Sequence, residues 1–299
     1  EKTEEKTAVI EIAKAAGLTL LSEEERNPLY TTTYGVGEVI KDAVRNGCRK
    51  FIVGIGGSAT NDGGAGMLQA LGFGLLKENG EQIPSGARGL EELAEITDDN
   101  VIPELAECKF KIACDVTNVL CGETGASAVY GPQKGADEEM TERLDRLLFS
   151  YASLVKKKIP KADSMYPGTG AAGGLGFAFL TFMDAQLESG IQIVIKETGL
   201  EQEIAKADLV ITGEGRMDGQ TAMGKAPIGI AKIAKKYGKP VIAFAGAAAR
   251  DAGACNEQGI DAFFPILREA GSLEAAMKRE NAEANMEAAV EQAYRLWRL

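Results

Sequence analysis

The stretch that decides the fold runs Phe51-Ile52-Val53-Gly54-Ile55-Gly56-Gly57-Ser58-Ala59-Thr60-Asn61-Asp62-Gly63-Gly64-Ala65-Gly66-Met67. A short apolar run empties into glycines, hydroxyls, one amide and one carboxylate, and helical spacing resumes near Gly66. This is strand, loop, helix. Glycines allow a backbone to approach a ligand closely, and a helix N-terminus favours negative charge. Gly56 and Gly57 offer N–H groups. Ser58, Thr60 and Asn61 can bond phosphate or sugar oxygens, and Asp62 can hold a cation or accept a proton. The loop therefore predicts phosphate or nucleotide handling. Two other readings stay open on the same residues. Gly54-x-Gly56-x-x-Ala59 nearly fits a dinucleotide-binding turn, although Lys77-Glu78 stands in a polar turn where that motif wants an acidic residue ending the next strand. The glycines could also serve only a tight turn.

Outward from the loop, strands and helices alternate. Strands are predicted at 8–12, 50–53, 109–113, 209–212, 240–245 and 262–266. Helices are predicted at 36–46, from 66, and at 137–158, 173–187 and 228–237, with a surface helix over 272–299. This alternation predicts an α/β fold with parallel sheets. The weakly patterned 196–207 suggests a domain boundary, giving domains of 1–195 and 196–299.

Composition narrows the chemistry. The 299 residues carry a net charge of -11 and no histidine. The acidic balance argues against non-specific nucleic-acid binding, which needs a basic face. No apolar run is long enough to span a membrane. Without histidine, Ser-His-Asp triads and imidazole acid–base work are excluded. Carboxylates, Lys, Arg, backbone dipoles and a bound cation remain, an inventory that suits phosphoryl transfer. The cysteines, Cys48, Cys108, Cys114, Cys121 and Cys255, form no CxxC pair and fit a reducing cytoplasm.

Three further clusters carry polar chemistry. Cys114-Asp115-Val116-Thr117-Asn118 follows a predicted strand, where open α/β sheets place ligands. Asp115 and Asn118 could bind substrate or Mg²⁺, and Lys134, in Gly131-Pro132-Gln133-Lys134-Gly135, could neutralise a carboxylate or phosphate. Pro167 to Gly176, with Gly173 and Gly174, could capture an anion or pack a helix closely. Thr212 to Pro227 holds Glu214, Arg216, Asp218 and Lys225. Its Gly219-x4-Gly224-Lys225 resembles a Walker A motif, but Ala226 stands where the Mg²⁺-binding hydroxyl belongs, so a true P-loop is rejected.

Together these motifs resemble the bacterial two-domain, type I glycerate kinase family, and the resemblance covers nearly the whole chain. It implies transfer of the ATP γ-phosphate to D-glycerate, usually at the 2-hydroxyl, with Mg²⁺. It implies one flavodoxin-like and one restriction-endonuclease-like α/β domain, with the active site in the cleft between them. By motif match, 56–62, Asp115, Lys134, Gly173, Gly174, Glu214, Arg216, Asp218 and Lys225 fall in that cleft. Asp62, Arg216, Asp218 and Lys225 are then the catalytic candidates, with Asp62, Asp115 and Asp218 as candidates for Mg²⁺. The same resemblance sets two departures. The chain opens at Glu1 without the family's initial Asp-Ser-Phe-Lys motif, so the flavodoxin-like sheet is expected to be incomplete and the chain could be a ligand-binding or inactive fragment. Val119 also replaces the Pro usual after Asn118, and Ala247-Ala248-Ala249 replaces a more polar turn. Nothing in the residues fixes an oligomeric state.

Overall fold

The structure is a computed structural model that describes residues 6–299. They divide into two compact units, one ending at Gly190 and one running from Ile191 to Leu299.

The first unit has six strands: β1 (Lys6–Glu11), β2 (Cys48–Gly54), β3 (Gly74–Leu76), β4 (Glu95–Thr97), β5 (Lys109–Ala113) and β6 (Ala185–Glu188). Four of them build a parallel sheet in the order β1-β2-β5-β6, while β3 and β4 pair antiparallel. The register sets Phe51 beside Phe110 and Val53 beside Ile112. All four are buried, and the two rings stack with centroids 4.6 Å apart. Helix Tyr34–Arg45 buries Val36, Ile40 and Val44 at three- and four-residue spacing. Helix Glu138–Lys158 starts where Asp137 accepts from the Met140 N–H at 2.8 Å, and it ends in three lysines that suit the helix dipole. Because β2 and β5 are parallel neighbours, with Gly54 beside Ala113, the loops leaving them emerge at one edge of the sheet. That edge carries the candidate site.

The expected helix over 173–187 is corrected. Ala172, Gly173 and Gly174 have left-handed backbone angles, regular helix follows and closes at Phe182, and Ala185–Glu188 is a strand beside β5. The open edge of β5 offers a row of backbone partners. Ala-Gln-Leu-Glu alternates too briefly to announce a strand.

The second unit is also α/β. Its strands β7 (Val210–Met217), β8 (Val241–Ala248) and β9 (Ala262–Pro265) form a parallel sheet in that order. Val241, Ala243 and Ala245 are buried with Ile228, Ala231 and Ala234 of helix Ala226–Lys236. The strand expected at 209–212 runs on to Met217. Gly213 is what permits this, since a Cβ there would stand 2.3 Å from the Phe244 carbonyl oxygen of β8. Segment 196–207 holds the end of helix Gly190–Thr198 and helix Leu200–Lys206, joined through Gly199 at a φ of 66°. Each unit thus has the parallel α/β character the alternation predicts.

Candidate active site

The loop after β2 is tied down on both sides. Gly54 and Gly57 carbonyls accept from Ile12 and Leu18 N–H groups, and the Ala59 N–H donates to the Ala16 carbonyl at 2.8 Å. Asp62 anchors its far end. Its carboxylate accepts from the Thr33 N–H at 2.8 Å, the Thr33 hydroxyl at 2.9 Å, the Gly64 N–H at 3.1 Å and the Gly66 N–H at 3.2 Å. Asp62 has no solvent exposure. Burial pushes its pKa up, while the bonds from Thr33, Gly66 and Gly64 pull it back. Both oxygens are committed to the protein. They also close the start of helix Ala65–Ala70, so this helix offers no free N-terminus to an anion. Nor does the helix follow the glycines directly, as a dinucleotide turn requires.

The glycine-rich stretch before Leu175 packs against this loop from behind. The Gly63 N–H donates to the Gly173 carbonyl at 2.9 Å. A Cβ on Gly173 would lie 2.0 Å from the Thr60 carbonyl oxygen, and Gly173 has a φ of 66°, so only glycine fits. Asn61 and Thr60 are buried in the same layer. Asn61 Nδ2 donates to Ser127 Oγ at 2.9 Å.

In front of this layer lies a cavity of about 260 Å³. Gly56, Gly57, Ser58, Asp115, Tyr130 and Lys134 border it, and Cys114, Ala171 and Ala172 also stand in its wall. Lys134 is 2% exposed. Its ammonium donates to Ser58 Oγ at 3.0 Å and to the Thr60 carbonyl at 2.7 Å. Burial depresses its pKa to about 7, against a smaller upward pull from Asp62. Asp115 Oδ1 accepts from Ser189 Oγ at 2.8 Å and from the Gly190 N–H at 3.0 Å, and Oδ2 takes neither bond. Tyr130 presents its ring, because its hydroxyl donates to Asn118 Oδ1 at 2.6 Å. Asn118 itself binds the Thr124 carbonyl and receives the Gly168 and Gly170 N–H groups, so it braces loops. Ala172, at φ 53°, is the one non-glycine residue with positive φ among the described residues, and it stands in the cavity wall. Such strain persists where surrounding structure over-determines it.

The second unit carries its own polar loop at the end of β7. Asp218 caps helix Gly219–Ala222, its Oδ1 accepting from the Gln220 N–H at 3.0 Å and the Thr221 N–H at 3.2 Å. Thr221 Oγ1 donates to Glu214 Oε1. Lys225 Nζ stands 3.8 Å from Asp218 Oδ1. Partial burial pushes the Asp218 carboxyl up, but the Thr221 N–H, Lys225, the Gln220 N–H and Arg216 together hold it below the ordinary carboxylate value. Arg216 is exposed on the same strand end. Among the described residues, no three of Cys, Asp and Glu converge into a metal-binding cluster.

A model of the glycerate kinase family matches residues 1–298. The chain belongs to the glycerate kinase family. It is 50% identical over 274 residues to a glycerate kinase of Halalkalibacterium halodurans, covering 92% of this chain and 72% of the relative. It is 50% identical over 273 residues to glycerate 2-kinase of Escherichia coli, covering 91% and 72%. Among solved structures, one assigned as glycerate kinase 2 from Salmonella typhimurium matches at a TM-score of 0.84 and 48% identity, over 96% of this chain and 75% of that one. The family resemblance carried by the sequence motifs is thereby borne out, and with it the kinase class.

Within this glycerate kinase family member, the sequence-predicted residues separate into layers. Gly56, Gly57, Ser58, Asp115 and Lys134 meet at the cavity. Thr60, Asn61, Asp62, Gly173 and Gly174 lie buried and shape the loops instead. Glu214, Arg216, Asp218 and Lys225 gather at the end of β7 in the other unit. Sequence reading missed Thr33, Tyr130 and Ser189. The signal for Thr33 was the run Thr31-Thr32-Thr33 just before a helix, a capping composition. Ser189 left no local signal, because it reaches Asp115 across 74 positions.

Proposed function

We propose that this protein transfers the γ-phosphoryl group of ATP to the 2-hydroxyl of D-glycerate, giving 2-phosphoglycerate, ADP and a proton. The observation that carries the reading is the 50% identity, over 91% of the chain, to a relative named glycerate 2-kinase. The residues support it. The β7 loop brings two cations, Arg216 and Lys225, to the neighbourhood of a carboxylate held ionised, Asp218. Such a set suits nucleotide phosphates and a hard cation.

Mg²⁺ fits the donor chemistry. Asp218 directs its capping bonds to Oδ1, leaving Oδ2 for a cation, and Asp115 is similarly free at Oδ2. Asp62 does not fit, since both of its oxygens are consumed. We assign Mg²⁺ to Asp218. When bound there, the ion would offset the charge on the phosphates. Asp62 is assigned to holding the loop, and Glu214 to fixing Thr221 beneath Asp218. The five cysteines are all free thiols, which supports a reducing, cytoplasmic setting.

An assay of ADP release with D-glycerate, DL-lactate and glycerol tests the reading. Glycerate-dependent release is expected, and none would defeat it. Phosphorus NMR of the product fixes the position. The phosphorus couples to one carbon-bound proton in the 2-phosphate, giving a doublet, and to two in the 3-phosphate, giving a triplet.

A further inference from the structure

We infer that the cavity at the ends of β2 and β5 is a hydroxy-acid subsite, with Lys134 and Ser58 taking the carboxylate and Asp115 Oδ2 accepting from a hydroxyl. The inference rests on the glycerate reading above and goes beyond it, by naming which unit holds the acceptor and which atoms recognise it.

Lys134 is the first observation. Its ammonium is buried against a hydroxyl and a carbonyl, both neutral, and no carboxylate stands within ion-pair distance among the described residues. Burying a cation is costly when the nearest compensating carboxylate, Asp62, stands beyond ion-pair distance and is committed to other donors. An ammonium has three N–H donors, and the protein engages two of them. An anion in the cavity would supply the missing charge and the third acceptor. Ser58 is also buried and borders the cavity, so its hydroxyl stands beside the same anion.

Gly56 is the second. Its φ is ordinary, and a Cβ there would meet nothing within 4 Å. Neither backbone conformation nor packing within the protein requires glycine at this position. What adjoins it is the cavity, where a missing side chain lets a ligand reach the backbone.

Charge and size then choose the ligand class. The cavity wall carries one cation, Lys134, and one anion, Asp115. A triphosphate would bring several negative charges to a site whose own charges cancel. A small hydroxy acid brings one carboxylate and neutral hydroxyls, which match one ammonium and one free carboxylate oxygen. The volume of about 260 Å³ falls below the ~300–1,000 Å³ of pockets for drug-sized ligands and suits a three-carbon acid.

Titration calorimetry of the chain with D-glycerate and with glycerol, in the absence of nucleotide, tests the subsite. Wild type, Lys134→Met and Asp115→Asn are compared, each checked for a single cooperative melting transition no lower than that of wild type. Lys134→Met is expected to weaken glycerate by roughly 10–100-fold while leaving glycerol unchanged. Asp115→Asn keeps an Oδ1 acceptor for Ser189 and Gly190 and is expected to weaken both ligands by roughly tenfold. Equal glycerate affinity in wild type and Lys134→Met overturns the subsite, as does an equal loss for both ligands in that variant, or no glycerate binding by wild type. If Lys134→Met melts below wild type, Ser58→Ala replaces it, with the same pattern expected at a smaller amplitude and the same outcomes overturning the idea. Glycerate binding without ATP-dependent turnover would defeat the reaction proposed above and leave the subsite standing.

Discussion

Thr33 and Asp62, 29 positions apart, are joined by three hydrogen bonds at 2.8, 2.9 and 3.1 Å. The Thr33 hydroxyl also accepts from the Met67 N–H at 2.9 Å. One threonine thus fixes the carboxylate that ends the glycine loop and the helix that follows.

Thr33→Val keeps the shape and removes the hydroxyl. The Met67 N–H is then orphaned and Asp62 loses a donor. Unfolding free energy is expected to fall by about 1–3 kcal/mol, read from the shift in the urea midpoint at unchanged slope.

Gly173→Ala and Gly56→Ala separate architecture from ligand approach. The first forces a Cβ to 2.0 Å from a carbonyl oxygen at positive φ and is expected to cost at least ~2 kcal/mol, or to prevent folding. The second adds a methyl group into open space and should alter stability by no more than about 0.5 kcal/mol. It should still raise the KM for glycerate, because the methyl intrudes on the cavity. An unchanged KM would remove Gly56 from the site.

Lys134 gives the fold a definite pH dependence. Its folded pKa, about 7, lies below the ordinary 10.5. Between these values the unfolded chain holds the extra proton, so this group makes stability rise with pH across that window. Lys134→Met removes the burial cost of the charge. Its melting temperature should exceed wild type most at and below pH 7, and the difference should shrink toward pH 10.5. Melting curves of both proteins across that range check the sign, and a gap that widens with pH would contradict it.

Asp218→Asn distinguishes capping from cation binding. Asparagine caps helices about as well as aspartate, so the melting temperature should hold. Loss of the charge should raise the half-saturating Mg²⁺ concentration of the ADP-release assay by roughly tenfold or more, since hard-cation affinity follows ligand charge. Because Asp218 is held below the ordinary carboxylate value, it stays ionised from neutral pH down through mildly acid pH.

Much of this was legible in the residues. The apolar runs at 50–53 and 109–113 named their strands, since alternate residues had to be buried. Asp137 and the lysines at 156–158 marked both ends of the long helix by capping and dipole chemistry. Gly56, Ser58, Asp115 and Lys134 were all marked as site candidates from loops at strand ends. Asp62 shows where such reading stops. A carboxylate in a glycine loop looks the same in sequence whether it faces a cation or protein donors, because the Thr32 and Thr33 donors come from a segment some thirty positions earlier. Gly173 and Gly174 are similar, for a glycine that admits a ligand and a glycine that admits another loop obey the same steric rule. The brief strand at Ala185–Glu188 was decided by the vacant edge of β5.

The sequence by itself determined the α/β alternation, the absence of imidazole chemistry and, through its ordered loop motifs, the glycerate kinase family. These depend on local spacing and on residue inventory, which a chain carries before it folds. Only the tertiary structure decided which polar residues border the cavity and which are enclosed by protein partners. Burial and the pairing of donors with acceptors belong to contacts between distant segments. Lys134, distant in sequence from Ser58, became the buried cation of a cavity by such contacts. Asp62, four residues after Ser58 in the same loop, became enclosed by donors from Thr33, Gly64 and Gly66.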